Sequence, residues 1–306
     1  MGVFGYFRGM LTSSKKILTI FLLTLVASLF FVACDEELPP VIMNEVEKPL
    51  LDTSYQGSVP SPQTKKVLVM DITGVRCNNC PKAAKIAHQI SEDHPGKIEI
   101  VALYPRTPIG LASPPWPGFD TLITDEAEQI ATSLGSISSL PLGSIDQITV
   151  GGSKLIDRSI WANTVTNRLL VATPMNVNLK STWKEAEGRA RIEIQMVSNV
   201  AVSGAVKYVA AVLEDGILSK QSDADDTVGV HGVVDDYEHN HVLRTVIGST
   251  LGNDVGTNMP AGWVVEKHYY FTPKSKWKTD NLYVMVWVYD AVSKEIYQVQ
   301  KVKLKL

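Results

Sequence analysis

The chain has 306 residues, of which 45% are hydrophobic and 20% charged, with a formal net charge of −3. That balance is ordinary for globular protein and excludes a disordered or fibrous chain. The mild acidity gives no electrostatic reason to expect nucleic acid as a partner, and the length allows two ordinary domains.

The first segment is basic and then apolar. Arg8, Lys15 and Lys16 precede an apolar run from Ile17 to Ala33. Seventeen residues suit the hydrophobic region of a secretion signal and lie at the lower edge for a membrane span. An uncleaved signal anchor is the other reading of the same run. The run ends at Val32-Ala33-Cys34 and turns acidic at Asp35-Glu36-Glu37. A small residue before a cysteine at this point resembles the bacterial lipobox, although Phe31 stands where Leu is usual. The resemblance implies that residues 1–33 are a lipoprotein signal peptide and that Cys34 is acylated. The acyl chains would give the two-chain anchor that stable membrane attachment needs.

Residues 34–64 read as the lipidated cysteine and a flexible tether, with five prolines and no sustained periodicity. Residues 65–172 alternate strand and helix patterns. Val67 to Ile72 is a short β-rich apolar run, the pattern of a buried strand. Thr73-Gly74 breaks it. Helical spacing of Ala83, Ala84, Ile86, Ala87 and Ile90 predicts a helix from Cys80 to about His94, with Pro81 in its first turn. A second strand is expected over Ile98 to Tyr104, followed by a Pro-rich loop. Thr124 is placed as an N-cap, with Asp125 and Glu126 complementing the helix dipole. That helix ends near Leu134-Gly135. Pro141 opens a strand near Leu142 to Val150, and a helix over about Asp157 to Val171 completes the unit. Strands alternating with helices predict an α/β layer with partly parallel strands.

After Thr173-Pro174 strand patterns dominate. They cover Met175–Leu179, Arg189–Val197, Ala205–Leu213, His241–Ile247, Trp263–Phe271, Leu282–Tyr289 and Ile296–Leu304. Arg189, Arg191, Glu193 and Gln195 alternate with Ile192, Ile194 and Met196. Seven such runs predict an antiparallel, Ig-like β-sandwich over residues 173–306.

The chain has three cysteines, Cys34, Cys77 and Cys80. With Cys34 acylated, one pair is left, and an exported protein meets conditions in which that pair can persist as a disulfide. Cys77-Asn78-Asn79-Cys80 follows a predicted strand and opens a predicted helix. A thiol there faces the positive end of the helix dipole, which lowers its pKa. Arg76 adds positive charge nearby. Cys77 is then the exposed attacking sulfur and Cys80 the buried resolving one. This region resembles the thioredoxin superfamily over residues 65 to about 172. The resemblance rests on the strand–CxxC–helix order, on Asp71 six residues before Cys77, and on Leu140-Pro141 ahead of a strand. It implies a thioredoxin-like domain, with Asp71 relaying protons to the resolving sulfur and Pro141 in the cis form beside the disulfide. Asn-Asn between the cysteines and Leu140 before the proline depart from the usual pattern.

A second resemblance spans nearly the whole chain. Thr73-Gly74-Val75-Arg76-Cys77-Asn78-Asn79-Cys80-Pro81 and His239-Asn240-His241-Val242-Leu243-Arg244 are similar to stretches of a Bacteroidetes outer-membrane lipoprotein family named for a twenty-eight-kilodalton outer membrane protein. It implies attachment to the outer membrane by lipid, with surface exposure a further option, and a thioredoxin-like domain followed by a β-sandwich.

Other chemistry finds little support. A lone CxxC supplies two ligands where structural zinc wants four, and His239-x-His241 lacks a third ligand. His88 and His94 read as exposed helix residues. Asp223, Asp225, Asp226, Asp235 and Asp236 crowd one stretch without calcium-loop spacing. Trp116 and Phe119 are expected near Cys77, and Trp287 in the sandwich core. No nucleophile elbow or phosphate-binding Gly loop is found, so no metal or cofactor is expected. Two functions follow. One is a binding or interaction protein on a thioredoxin-like scaffold, with a stabilising disulfide and a protein partner. The other is a thiol–disulfide oxidoreductase acting on exported proteins through Cys77, Cys80, Asp71 and Pro141.

Overall fold

The computed structural model of the chain describes residues 51–106, 112–224 and 232–306. The predicted signal and Cys34 lie outside the described residues. Leu50–Leu306 cluster as one unit.

The N-terminal half contributes β1 (Thr53–Gln56), β2 (Val67–Ile72), α1 (Cys80–Asp93), β3 (Ile98–Leu103), α2 (Asp125–Ser133), β4 (Leu142–Ile145) and α3 (Trp161–Leu169). The described C-terminal half is built of strands, with two short 3-10 turns at Glu185–Glu187 and Thr279–Asn281. It runs β5 (Met175–Lys184), β6 (Arg189–Ser198), β7 (Val202–Glu214), β8 (Ile217–Asp223), β9 (Gly232–His239) and β10 (Val242–Ile247). It ends with β11 (Asn253–Met259), β12 (Trp263–Phe271), β13 (Leu282–Asp290) and β14 (Ile296–Lys303). The described chain is thus mostly β, arranged in several sheets with few helices.

The largest sheet has the order β14-β13-β7-β10-β3-β2-β4, with β11 also pairing β7. β2 and β3 are parallel, from Val67↔Ile98 to Ile72↔Leu103, and β4 runs antiparallel to β2. The expected division at residues 172 and 173 does not interrupt this sheet. β10 pairs β3 through Val242↔Ala102 and pairs β7 on its other side. A four-stranded sheet, β1-β12-β6-β5, lies apart from it.

Alternation along the strands assigns each face its cover. Leu68, Met70, Val101, Leu103, Val209, Ala211, Met285 and Trp287 share one core with Ala127, Ile130 and Ala131 of α2. Trp287 therefore lies in the core beside α2, not inside the sandwich. On the opposite face, Val206, Tyr208, Ala210, Val212, Val284 and Val286 pack with Val177, Ile192, Ile194 and Val265 of the smaller sheet. Farther along that face, Val67, Val69, Ile98 and Ile100 pack with Ala83, Ala87 and Ile90 of α1 and with Trp161 and Val165 of α3. Each fully buried large apolar side chain here stabilises the fold by about 1.5–3 kcal/mol.

Three expectations need correction. Residues 53–56 do not stay in a tether: they form β1, paired with β12 from Thr53↔Glu266 to Gln56↔Trp263. Gln63 continues the attachment, its N–H donating to Asn176 Oδ1 at 2.8 Å. The strand predicted over Leu142 to Val150 stops at Ile145, because Asp146 and Gln147 turn the chain with φ of 48° and 52°. Two strand pairings, β8–β9 and β11–β7, were not expected at all.

Asp146 occupies a buried crossing point. Its Oδ1 accepts from the Leu68 N–H at 2.9 Å. Its Oδ2 meets Lys65 Nζ at 2.8 Å and Arg168 Nε at 3.0 Å. Its carbonyl accepts from the Ile296 N–H at 2.9 Å. Lys65 also donates to the Ile296 and Tyr297 carbonyls, each at 3.1 Å, and Arg168 reaches Glu295 at 2.8 Å. Burial pushes the Lys65 ammonium below its ordinary pKa, and the Asp146 carboxylate opposes that push. Asp146→Ala leaves buried Lys65 without a carboxylate partner and Arg168 with Glu295 alone, and is expected to cost about 3–5 kcal/mol. Urea unfolding measures this, and a loss under about 1 kcal/mol would show that the crossing point is dispensable.

Candidate functional site

The CxxC turn is built where β2 ends. Val67, Val69 and Asp71 fall on one face of β2, so the strand that packs Val67 and Val69 against α1 brings Asp71 to the start of that helix. Gly74 permits the turn that follows: a Cβ there would sit 2.5 Å from the Ala112 carbonyl oxygen. The Arg76 N–H donates to that same carbonyl at 2.7 Å. Cys77 and Cys80 are joined in a disulfide, with Cα atoms 5.4 Å apart, and α1 begins at Cys80 with Pro81 in its first turn.

Both sulfurs are covered. Cys77 is 7% exposed and Cys80 2%, so the expectation of an exposed Cys77 does not hold in the oxidised protein. Ala112 and Leu140 pack against them. The Leu140–Pro141 peptide bond is cis, and Leu140 is the residue of that pair in contact with the cysteines. The rest of the cover comes from β8 and its continuation. Gln221 Nε2 donates to the Cys77 carbonyl at 3.0 Å. The Ser222 N–H donates to the Val75 carbonyl at 2.9 Å, and the Ala224 N–H to the Asn78 carbonyl at 3.0 Å.

Arg76 does not face the sulfurs. Its guanidinium donates to the Pro114 and Pro115 carbonyls at 3.0 and 2.9 Å and lies 4.4 Å from the centre of the Trp116 ring. The positive charge expected to favour a thiolate is committed to the Pro-rich loop.

Behind Cys80 lies a cavity of about 420 Å³, between α1, the ends of β2 and β3, and the β8–β9 hairpin. Asp71, Cys80, Tyr104, Tyr237 and His239 line it. Asp71 is 3% exposed, and its Oδ1 is buried with no hydrogen-bond partner. Burial pushes its carboxyl up to about 7. The Tyr104 hydroxyl and His239 Nδ1 share a hydrogen bond of 2.8 Å. Burial pushes His239 down to about 4, although the Ser219 backbone favours its protonated form, so its ring is neutral near pH 7. Burial, with the nearby Asp71 and Asp223 carboxyls, pushes the Tyr237 hydroxyl up to about 12.

His239 and His241 do not share a strand face. His239 ends β9, and His241, with φ of 60°, lies in the turn to β10. His241 Nδ1 meets Asp215 at 3.3 Å. No group of three or more His, Cys, Asp or Glu that could hold a metal is found among the described residues. Of the crowded aspartates, Asp225 and Asp226 lie outside the described residues. Asp223 is buried in β8, while Asp235 and Asp236 are exposed on β9.

The family described as outer membrane protein Omp28 matches residues 131–306, more than half of the chain. The chain belongs to the Omp28 family. The match takes in the β8–β9 hairpin and Pro141 and begins after Asp71, Cys77 and Cys80. As an Omp28-family member it is an outer-membrane protein. No described helix is long and apolar enough to cross a membrane. No curated protein matches the chain. Among solved structures, an Agrobacterium tumefaciens protein is 15% identical, with a TM-score of 0.43 and coverage of 80% of this chain and 96% of that one. A domain of the outer membrane lipoprotein Omp28 from Porphyromonas gingivalis is 15% identical, with a TM-score of 0.28 and coverage of 44% and 89%.

The Asp71 environment has a consequence for stability. Its folded pKa is about 7 against an ordinary value of 3.8. The stabilisation of its protonated form is therefore complete below about pH 4 and is lost as pH rises through 7. His239, shifted from 6.5 to about 4, acts oppositely, losing its contribution as pH falls from 6.5 to 4. Asp71→Asn is expected to raise stability at pH 8, by up to roughly 3–4 kcal/mol, and to have little effect at pH 4. Urea midpoints at the two pH values test this, and equal shifts at both would contradict it.

Proposed function

We propose that this Omp28-family protein is a lipid-anchored binding protein, with a static CxxC disulfide that fixes one wall of a binding cavity. Acylation of Cys34 supplies the anchor. Residues 65–172 form a thioredoxin-like scaffold, and the strands of 173–306 form a sandwich that also covers the disulfide. The single observation that carries the reading is the main-chain clamp of β8 on the CxxC turn, with Gln221 bonded to the Cys77 carbonyl. An enzyme that exchanges disulfides with proteins must present one sulfur to an incoming thiolate. Here both cysteines are buried, and the turn that carries them is bonded to β8. A protein partner or smaller ligand recognised from outside is compatible with that arrangement.

The thioredoxin-like assignment is supported by the parallel β2–α1–β3 unit and by β4 antiparallel to β2. A bridge between Gly143 and Ile156 adds one pairing beyond β4, and α3 follows. A second reading, thiol–disulfide oxidoreductase, is favoured by one observation: Asp71 lines the same cavity as Cys80. In that reading Cys77 attacks, Cys80 resolves, Asp71 moves the proton and Pro141 shapes substrate contact.

Reduction by dithiothreitol distinguishes the two. For the native protein the rate is expected to be roughly tenfold or more below that of the urea-unfolded chain, since access limits exchange. Gln221→Ala, which loosens the clamp, is expected to speed it. Fast reduction of the native protein, with exported proteins trapped on Cys80→Ala, would establish the oxidoreductase instead. For the anchor, labelled palmitate is expected to enter the wild-type protein and not Cys34→Ala. Equal labelling of both would remove Cys34 from the proposal.

A further inference from the structure

The cavity behind Cys80 has a floor chemistry that narrows what it can hold. Its volume, about 420 Å³, is far beyond the ~10–15 Å³ that lodges one water molecule and within the usual range for small-ligand sites. Three alanines leave the space open: Ala84 and Ala87 on α1, and Ala102 on β3 opposite Asp71 in register. Larger side chains at these positions would fill it. The walls also include Pro81, Ile100, Thr73 and the two tyrosines Tyr104 and Tyr237, with Gln221 and His241, the latter against Asp215, on the hairpin side.

The charge at this floor is one-sided. Asp71 is buried and has an oxygen without a hydrogen-bond partner. The hydroxyl of Tyr104 is directed to His239, and the His239 ring is neutral near pH 7. Lys85 and His88 also border the cavity but lie on the exposed side of α1, and Glu238 offsets them at the same rim. A buried carboxyl oxygen left unpaired is costly. A ligand that donates hydrogen bonds and carries positive charge removes that cost, and the tyrosine rings offer it favourable faces.

We propose that this cavity is a binding site for a small organic amine, with its ammonium group on Asp71 and its apolar body against the alanine wall and the tyrosines. The proposal deepens the binding-protein reading and rests on it. An anionic ligand would meet Asp71 as a like charge, and a neutral apolar ligand would leave the carboxyl unpaired.

Tyramine serves as the probe, titrated calorimetrically into the detergent-solubilised full chain at pH 8. 4-Ethylphenol and 3-(4-hydroxyphenyl)propionate serve as its neutral and anionic counterparts. Tyramine is expected to bind saturably at one site, and the propionate not at all. Asp71→Asn, which is expected to fold more stably at this pH, should weaken tyramine at least tenfold and bring it level with ethylphenol. Ala102→Leu should abolish binding of both while leaving Asp71 in place. Absence of saturable tyramine binding, equal binding of the propionate, or no loss in Asp71→Asn would each overturn the proposal. Dithiothreitol reduction of the same samples keeps the two ideas apart. A slow rate with no amine binding defeats the amine site alone, whereas a fast rate defeats the binding-protein reading beneath it.

Discussion

The structure depends on one buried carboxylate. Asp146 follows β4, and its side chain and carbonyl bond to Lys65 just ahead of β2, to Leu68 within β2, to Ile296 at the start of β14, and to Arg168 of α3. β4 and β14 are the two outer strands of the large sheet, so this one residue joins its opposite edges. Burying three charges is costly, and only close pairing with further hydrogen bonds offsets that cost. Lys65 and Arg168 meet the condition by also reaching the Ile296 carbonyl and Glu295. The α/β portion is thereby fixed against the last strands of the chain, which makes a cavity bounded by both halves a defined object.

Much of the local structure was legible in the sequence. The helix from Cys80, the N-cap at Thr124 and the parallel pair around Val67–Ile72 and Ile98–Leu103 all follow from apolar spacing and capping chemistry. Thr124 accepts from the Ala127 N–H at 3.0 Å, as that reading requires. The β8–β9 hairpin was not legible, and the reason is physical. Its buried residues include Ser219, Gln221, Ser222 and Asp223. Hydrophobic periodicity detects strands that bury hydrocarbon, and β8 instead buries polar groups that bond to the CxxC turn. The one available signal was Gln221 among small polar residues, which composition alone marks as loop.

The site shows the same division. Cys77, Cys80, Asp71 and Pro141 were selectable because a strand–CxxC–helix order has few other uses; in the fold Asp71 lines the same cavity as Cys80, and Leu140, the neighbour of Pro141, packs against the cysteines. Tyr104 comes directly after β3, whereas Tyr237 and His239 could not be connected to the site from the sequence. They lie on β9, next to β10, whose pairing with β3 is a long-range contact that no local pattern encodes. Arg76 shows the limit of reading charge by proximity: it is the sequence neighbour of Cys77, yet its guanidinium is directed to Pro114 and Pro115.

The shared sheet limits how this protein can be taken apart. A fragment ending near residue 172 would retain the CxxC yet lose β10, leaving β3 as a bare strand edge that invites association with other chains. It would also lose Gln221 and the Ser222 and Ala224 amides, exposing sulfurs that the whole molecule keeps covered. Thiol chemistry seen in such a fragment would be a property of the cut and would say nothing of the whole molecule.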